Sequence, residues 1–117
     1  MKEYTVKVEK DGTKHWYKNG RRHREDGPAI EYVNGAKAWY KNGQLHREDG
    51  PAIEDANGVK SWWLNGQRHR EDGPAIEWYD GTKRWYKNGQ EVTEHEVLGP
   101  AGKIVEIDGI KYKLTKV

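Results

Sequence analysis

Hydrophobic positions in this chain are few, and they fall in a fixed rhythm. From Lys14 onward, segments of the form Lys-x-Trp-aromatic (Lys14–Tyr17, Lys37–Tyr40, Lys60–Trp63, Lys83–Tyr86) alternate with Pro-Ala-Ile-Glu segments (Pro28–Glu31, Pro51–Glu54, Pro74–Glu77), at an interval of 23 residues. Each segment is short, rich in strand formers and bounded by Asn-Gly, Asp-Gly or Asp-Gly-Pro, so each reads as a β-strand. No stretch shows a helical period. The pattern predicts an all-β fold: a single-layer β-hairpin meander with a 23-residue repeat, capped by terminal hairpins. Within a single domain spanning 1–117, residues 1–10 are expected to form an N-terminal cap strand, 11–92 four hairpin repeats, and 93–117 a C-terminal capping hairpin. The cap strand should pair through Tyr4–Val8 onto the segment at Trp16, and the last hairpin should turn at Asp108-Gly109. Gly99-Pro100-Ala101 echoes the Gly-Pro-Ala of the repeats.

Turn chemistry predicts the register. Each unit opens on Asn-Gly or Asp-Gly, the strongest short-range signal for a two-residue type I′ turn. With Asn34-Gly35 in that turn, Ile30 pairs with Trp39, Tyr32 with Lys37 and Ala29 with Tyr40. This arrangement puts Trp16, Trp39, Trp62 and Trp85 in one row beside the isoleucines, the expected core face. Tyr17, Tyr40, Trp63 and Tyr86 form a second row on the other, partly wet face. It also sets Glu9 and Asp55 across from Lys14 and Lys60. A second Asn-Gly in each unit (19–20, 42–43, 65–66, 88–89) turns the chain again, and Glu-Asp-Gly-Pro leads it into the next hairpin.

The string His-Arg-Glu-Asp-Gly-Pro-Ala-Ile occurs three times, at 23–30, 46–53 and 69–76. A catalytic site is needed once, whereas a stacking unit needs its residues at every step. His23, His46 and His69 are therefore expected to fill slots between turns. Asp26, Asp49 and Asp72 should cap the glycine turns, and Arg24, Arg47 and Arg70 should pair with Glu or Asp of a neighbouring unit. The competing reading, imidazole and carboxylate as metal ligands, requires a site repeated three times with one His in each copy, and no metal is assigned.

The pattern Asn/Asp-Gly-x-Lys-x-Trp-Tyr-Lys-Asn-Gly-Gln-x-His-Arg-Glu-Asp-Gly resembles the MORN repeat, with Trp39, Asn42, Gly43, His46 and Gly50 at the matching positions. It resembles still more the His-Arg-Glu-Asp-Gly-Pro-Ala repeat proteins of tailed bacteriophages and giant viruses. Asn88–Glu94 looks like their usual close of the array. The resemblance covers 11–92, and it departs from MORN at Glu-Asp-Gly-Pro, where that repeat has a second glycine. It implies an array of hairpins with an interaction role, and MORN arrays are associated with protein scaffolding and lipid contact.

Composition narrows the function. Six Trp and seven Tyr carry the apolar content, with no Phe and one Met, which argues against both a deep aliphatic core and a disordered chain. There is no Cys, so neither disulfides nor thiolate metal sites arise. With no apolar run at the start or elsewhere, the expectation is a cytoplasmic protein, in the host cytoplasm if viral, with no membrane contact. The 21 basic and 19 acidic side chains nearly balance. Carboxylates recur in identical rows, and the one irregular cluster (Glu91, Glu94, His95, Glu96) sits where the array breaks. No catalytic residue, enzyme activity or cofactor is assigned.

Two rows remain as candidate sites. Tyr17, Tyr40, Trp63 and Tyr86 are the expected contact residues for a protein partner, because Tyr and Trp dominate interface hot spots. Such a module would be phage-encoded and would act on a host or viral protein, for example by inhibiting a host defence; a homo-oligomer is the other way to cover the face. Lys14, Lys37, Lys60 and Lys83 lie two residues before the Trp row, a spacing suited to nucleotides or single-stranded nucleic acid. Their stems equally suit the solvated rim of a core. A structural or tethering protein is the third possibility.

Overall fold

The structure, a computed structural model, describes residues 3–98 and the backbones of two further strands, Ile104–Ile107 and Ile110–Lys113. The fold is nearly all β. Thr5–Val8, Lys14–Lys18, Ile30–Glu31, Lys37–Ala38, Ile53–Glu54, Lys60–Ser61, Ile76–Glu77, Lys83–Lys87 and Gln90–Val92 lie side by side in chain order as an antiparallel meander. Each 23-residue unit thus adds two strands to one sheet. After each Lys-x-Trp segment the chain makes a second, shorter hairpin, such as Tyr40–Lys41 against Gln44–Leu45 and Trp63–Leu64 against Gln67–Arg68.

The strand that precedes the array pairs Val6 with Trp16, as the sequence suggests. The last two strands form an antiparallel hairpin, Ile104 across from Lys113 and Ile107 across from Ile110. The turn expected at Asp108-Gly109 and the Gly99-Pro100-Ala101 echo lie outside the described residues.

The two Asn-Gly pairs of a unit do different things. At Asn34-Gly35 the loop has three residues: Tyr32 N–H donates to Ala36 C=O, and Gly35 N–H to Tyr32 C=O, each at 2.9 Å. Only Gly35 is left-handed there, at φ 95°, while Asn34 Oδ1 accepts the Ala36 N–H at 2.9 Å. This is a type I turn followed by a glycine bulge, braced by an Asx bond. Asp11, Asn57 and Asp80 accept the corresponding amides of Thr13, Val59 and Thr82. The two-residue type I′ turn lies at the second Asn-Gly, where Asn42 and Gly43 both have positive φ, 51° and 84°.

The extra loop residue corrects the expected register by one. Ile30 stands across from Ala38 and Glu31 from Lys37, so Ile30 does not face Trp39. A one-residue slip moves every side chain to the opposite face. The row beside the isoleucines is therefore Tyr17, Tyr40, Trp63 and Tyr86, and the Trp16, Trp39, Trp62 and Trp85 row turns to the charged side. The core row is a line of cross-strand neighbours running Ile30, Ala38, Ile53, Ser61 and Ile76, with half-buried His15 at one end and exposed Arg84 at the other. Ile30, Ala38 and Ile76 are buried on this side, and Ala29, Ala52 and Ala75, each one residue before an isoleucine and so on the tryptophan side, are fully buried.

One short element departs from the all-β expectation. Glu94–Leu98 is a single helical turn that follows the last repeat. Thr93 N–H donates to Glu96 Oε1 at 2.9 Å and Glu96 N–H to Thr93 Oγ1 at 3.0 Å, a reciprocal cap at its start. These bonds hold the Glu96 carboxyl below its ordinary pKa, and the amide bonds to Thr13 and Thr82 do the same for Asp11 and Asp80.

Two predictions follow from the turns. Asn34→Gly should be more destabilising than Asn42→Gly, by about 1 kcal/mol, because only the former loses a side-chain bond without relieving a left-handed backbone. Urea unfolding of the two variants measures the difference, and the reverse order would restore the two-residue turn at Asn34-Gly35. Second, carboxylates with lowered folded-state pKa stabilise the fold above the unfolded value and lose that effect as pH falls through the folded one. Stability should therefore drop below about pH 4. A double variant, Asp11→Asn with Asp80→Asn, keeps both amide acceptors and should flatten this acid limb in thermal melts.

Candidate functional site

The register gives the sheet two unlike sides. On the charged side, Lys14, Glu31, Lys37, Glu54, Lys60, Glu77 and Lys83 are successive cross-strand neighbours, so each expected anion-binding lysine stands beside one or two glutamates. Lys14 and Lys60 face Val8 and Glu54 in place of Glu9 and Asp55, the same one-residue slip.

Arginine organises this side. Arg24, Arg47 and Arg70 lie over the rings of Trp16, Trp39 and Trp62 at 4.0, 3.8 and 3.9 Å. In the middle unit Arg47 Nε donates to Asp49 Oδ1 at 3.1 Å, while Nη1 donates to the Pro51 carbonyl at 3.0 Å and to Glu54 Oε2 at 3.1 Å. Arg24 and Arg70 repeat the set. The partners lie two, four and seven residues along the same unit, which corrects the expected bond to a neighbouring unit. Asp26, Asp49 and Asp72 accept from these arginines. The guanidinium lies so close to the turn that a β-carbon on Gly50 would sit 3.0 Å from Arg47 Cζ, so a larger residue there would have to push the arginine aside. In the fourth unit Thr93 takes the arginine's place, and Trp85 Nε1 is buried without a partner.

Histidine joins one unit to the next. The Nδ1 atoms of His23, His46 and His69 accept the backbone N–H groups of Asn42, Asn65 and Asn88, each at 2.9 Å. That bond fixes the tautomer, leaving Nε2 to donate to Glu25, Glu48 and Glu71 at 3.1, 3.2 and 3.1 Å. Each histidine thereby grips the left-handed asparagine of the following turn. Successive units also enclose an open groove of about 820 Å³ between their Arg-Glu-Asp turns, and its carboxylates are bonded to the arginine and histidine beside them. Among the described residues, no three His, Asp or Glu side chains group as metal ligands.

The other side carries the core row and, along its margin, Tyr17, Tyr40, Trp63 and Tyr86, all half-buried. Trp63 Nε1 donates to Ser61 Oγ at 2.8 Å, drawing the indole over the core row. The type I′ turns bring a third set of side chains between the rings, which the sequence reading passed over. Arg22 is the cross-strand partner of Tyr17, Leu45 of Tyr40, Arg68 of Trp63 and Glu91 of Tyr86. Arg22 Cζ lies 5.7 Å from the centroids of both Tyr17 and Tyr40. Arg68 Cζ lies 5.0 Å from Trp63 and 5.3 Å from Tyr86. Each cation therefore bridges two units. The available signal was the two-residue Asn19-Gly20 turn, which by itself sets Arg22 opposite Tyr17.

Replacing Arg47 by Lys should destabilise the protein by about 2 kcal/mol, since one ammonium cannot reach three acceptors and cover the ring. Trp39→Leu should cost less in the Arg47→Lys background than alone; additive effects in the double-mutant cycle would separate ring and guanidinium. Compared with known proteins, the chain matches no family model, no curated protein and no solved structure.

Proposed function

We propose that this protein is a non-enzymatic interaction module that docks a protein partner on the side carrying Tyr17, Tyr40, Trp63 and Tyr86. The observation that carries the reading is the half-exposed state of these rings, one per repeat in a row beside the core. Interface energy concentrates in Trp, Tyr and Arg, and this side alternates those residue types. The resemblance to MORN-like and viral His-Arg-Glu-Asp-Gly-Pro-Ala repeats agrees with an interaction role. A small phage-encoded chain of this kind would act by occupying a host protein, a defence component among the candidates; that step is analogy.

The nucleotide reading on Lys14, Lys37, Lys60 and Lys83 is the weaker one, because glutamates alternate with those lysines across the strands. Substitutions on the two sides separate the readings. Tyr40→Leu and Trp63→Leu keep apolar cover over the core row but remove the rings, and they should weaken partner binding at least thirtyfold, the mark of hot spots worth about 2 kcal/mol. Lys37→Gln and Lys60→Gln should leave binding within about threefold, as rim positions do. Affinity for the natural partner captured from host cells is the measurement. Loss through the lysines with retention in the ring variants would overturn the docking face.

A further inference from the structure

Arg22 and Arg68 differ from the other arginines that contact the rings or the core row. Arg24, Arg47, Arg70 and Arg84 each make an ion pair. Among the described residues, Arg22 and Arg68 make none. Their Nε atoms are buried without an acceptor, and their guanidinium groups are held between aromatic rings of successive units. Lys7 adds a further cation 5.0 Å from the Tyr17 ring, at the same end of the column. Cations fixed in place and stripped of part of their water need little further ordering to meet an anion.

We infer that the segment docking on this side is an extended acidic peptide, with two carboxylates flanking one apolar residue, recognised by Arg22, Leu45 and Arg68. The inference rests on the docking face proposed above and names its partner's chemistry. Spacing follows from the sheet. Each unit adds two strands at about 4.8 Å each, so consecutive column positions lie roughly 10 Å apart. A chain in the extended polyproline II conformation advances about 3.1 Å per residue with three residues per turn, so every third side chain returns to the same side, one per step. The matching pattern is acidic-x-x-apolar-x-x-acidic. A phosphate backbone fits less well: it carries uniform charge, whereas this column places Leu45 between its cations. It also ends on Glu91, paired with Arg84 at 2.8 Å.

The test uses the full chain and fluorescein-labelled synthetic peptides, read by anisotropy at low salt. The spaced probe is Ser-Glu-Ser-Thr-Leu-Ser-Thr-Glu-Ser. Its comparators are the same peptide with both Glu replaced by Lys, the scrambled Ser-Glu-Glu-Ser-Leu-Thr-Ser-Thr-Ser, and a nine-nucleotide oligothymidine. The spaced probe should bind at least tenfold more tightly than each comparator. Arg22→Gln with Arg68→Gln should erase that preference, and Leu45→Glu should do the same without touching either arginine. Equal binding of spaced and scrambled peptides, or no binding of the spaced probe, overturns the inference. So does tighter, arginine-dependent binding of oligothymidine, which would assign the column to nucleic acid. If Tyr40→Leu and Trp63→Leu abolish capture of the natural partner while the arginine variants do not, the docking face stands and its acidic partner falls.

Discussion

The structure depends on how three residues close a hairpin. Val33, Asn34 and Gly35 form a loop one residue longer than the tightest turn their sequence allows, held by the Asn34 side chain on the Ala36 amide. Strand side chains alternate with period two, so that single residue decides the face of everything downstream. It sets the tyrosines beside the isoleucines, turns the tryptophans toward the arginines, and interleaves lysine with glutamate. A loop of two residues would exchange all of these.

A sheet one layer thick cannot rely on a second layer to bury its apolar side. The array compensates by local and nearest-neighbour bonds repeated at every unit, the energetic logic of repeat proteins. Within a unit, arginine gathers its tryptophan, aspartate, proline carbonyl and glutamate into one cluster. Between units, the histidine Nδ1 bond to the next asparagine amide, and the cations shared between rings, carry the connection. Cation–π contacts of this kind contribute on the order of 0.5–2 kcal/mol each depending on exposure, and Arg22 and Arg68 place them at the first and third of the three seams between repeats, with Leu45 at the second.

The period, the hairpins and the N-terminal strand are legible in the letters because Asn-Gly, Asp-Gly-Pro and the strand formers between them are local signals. The register is not, because Asn-Gly serves two turn types. Asn34 and Asn42 are the same residue before the same glycine, yet one keeps an ordinary backbone and lends its side chain, while the other adopts φ 51°. Nothing within two residues distinguishes them without the partner strand. The helix at Glu94–Leu98 is too short to show a period, although Thr93 and Glu96 spell its cap in advance. Within the candidate site, the aromatic row was evident from composition. The arginines between the rings were hidden because they sit one position before the invariant string and belong to no motif.

That position has a consequence of its own. Residues 22, 45, 68 and 91 are Arg, Leu, Arg and Glu, in a frame that is otherwise repeated nearly letter for letter. They stand across the strands from the ring of their own unit, while the histidine and arginine that follow carry the stacking. This letter thus changes from unit to unit while the stacking residues that follow it stay the same. The array behaves as a fixed rack with exchangeable slots, in which a new preference can be written by single substitutions and a longer message by adding whole units.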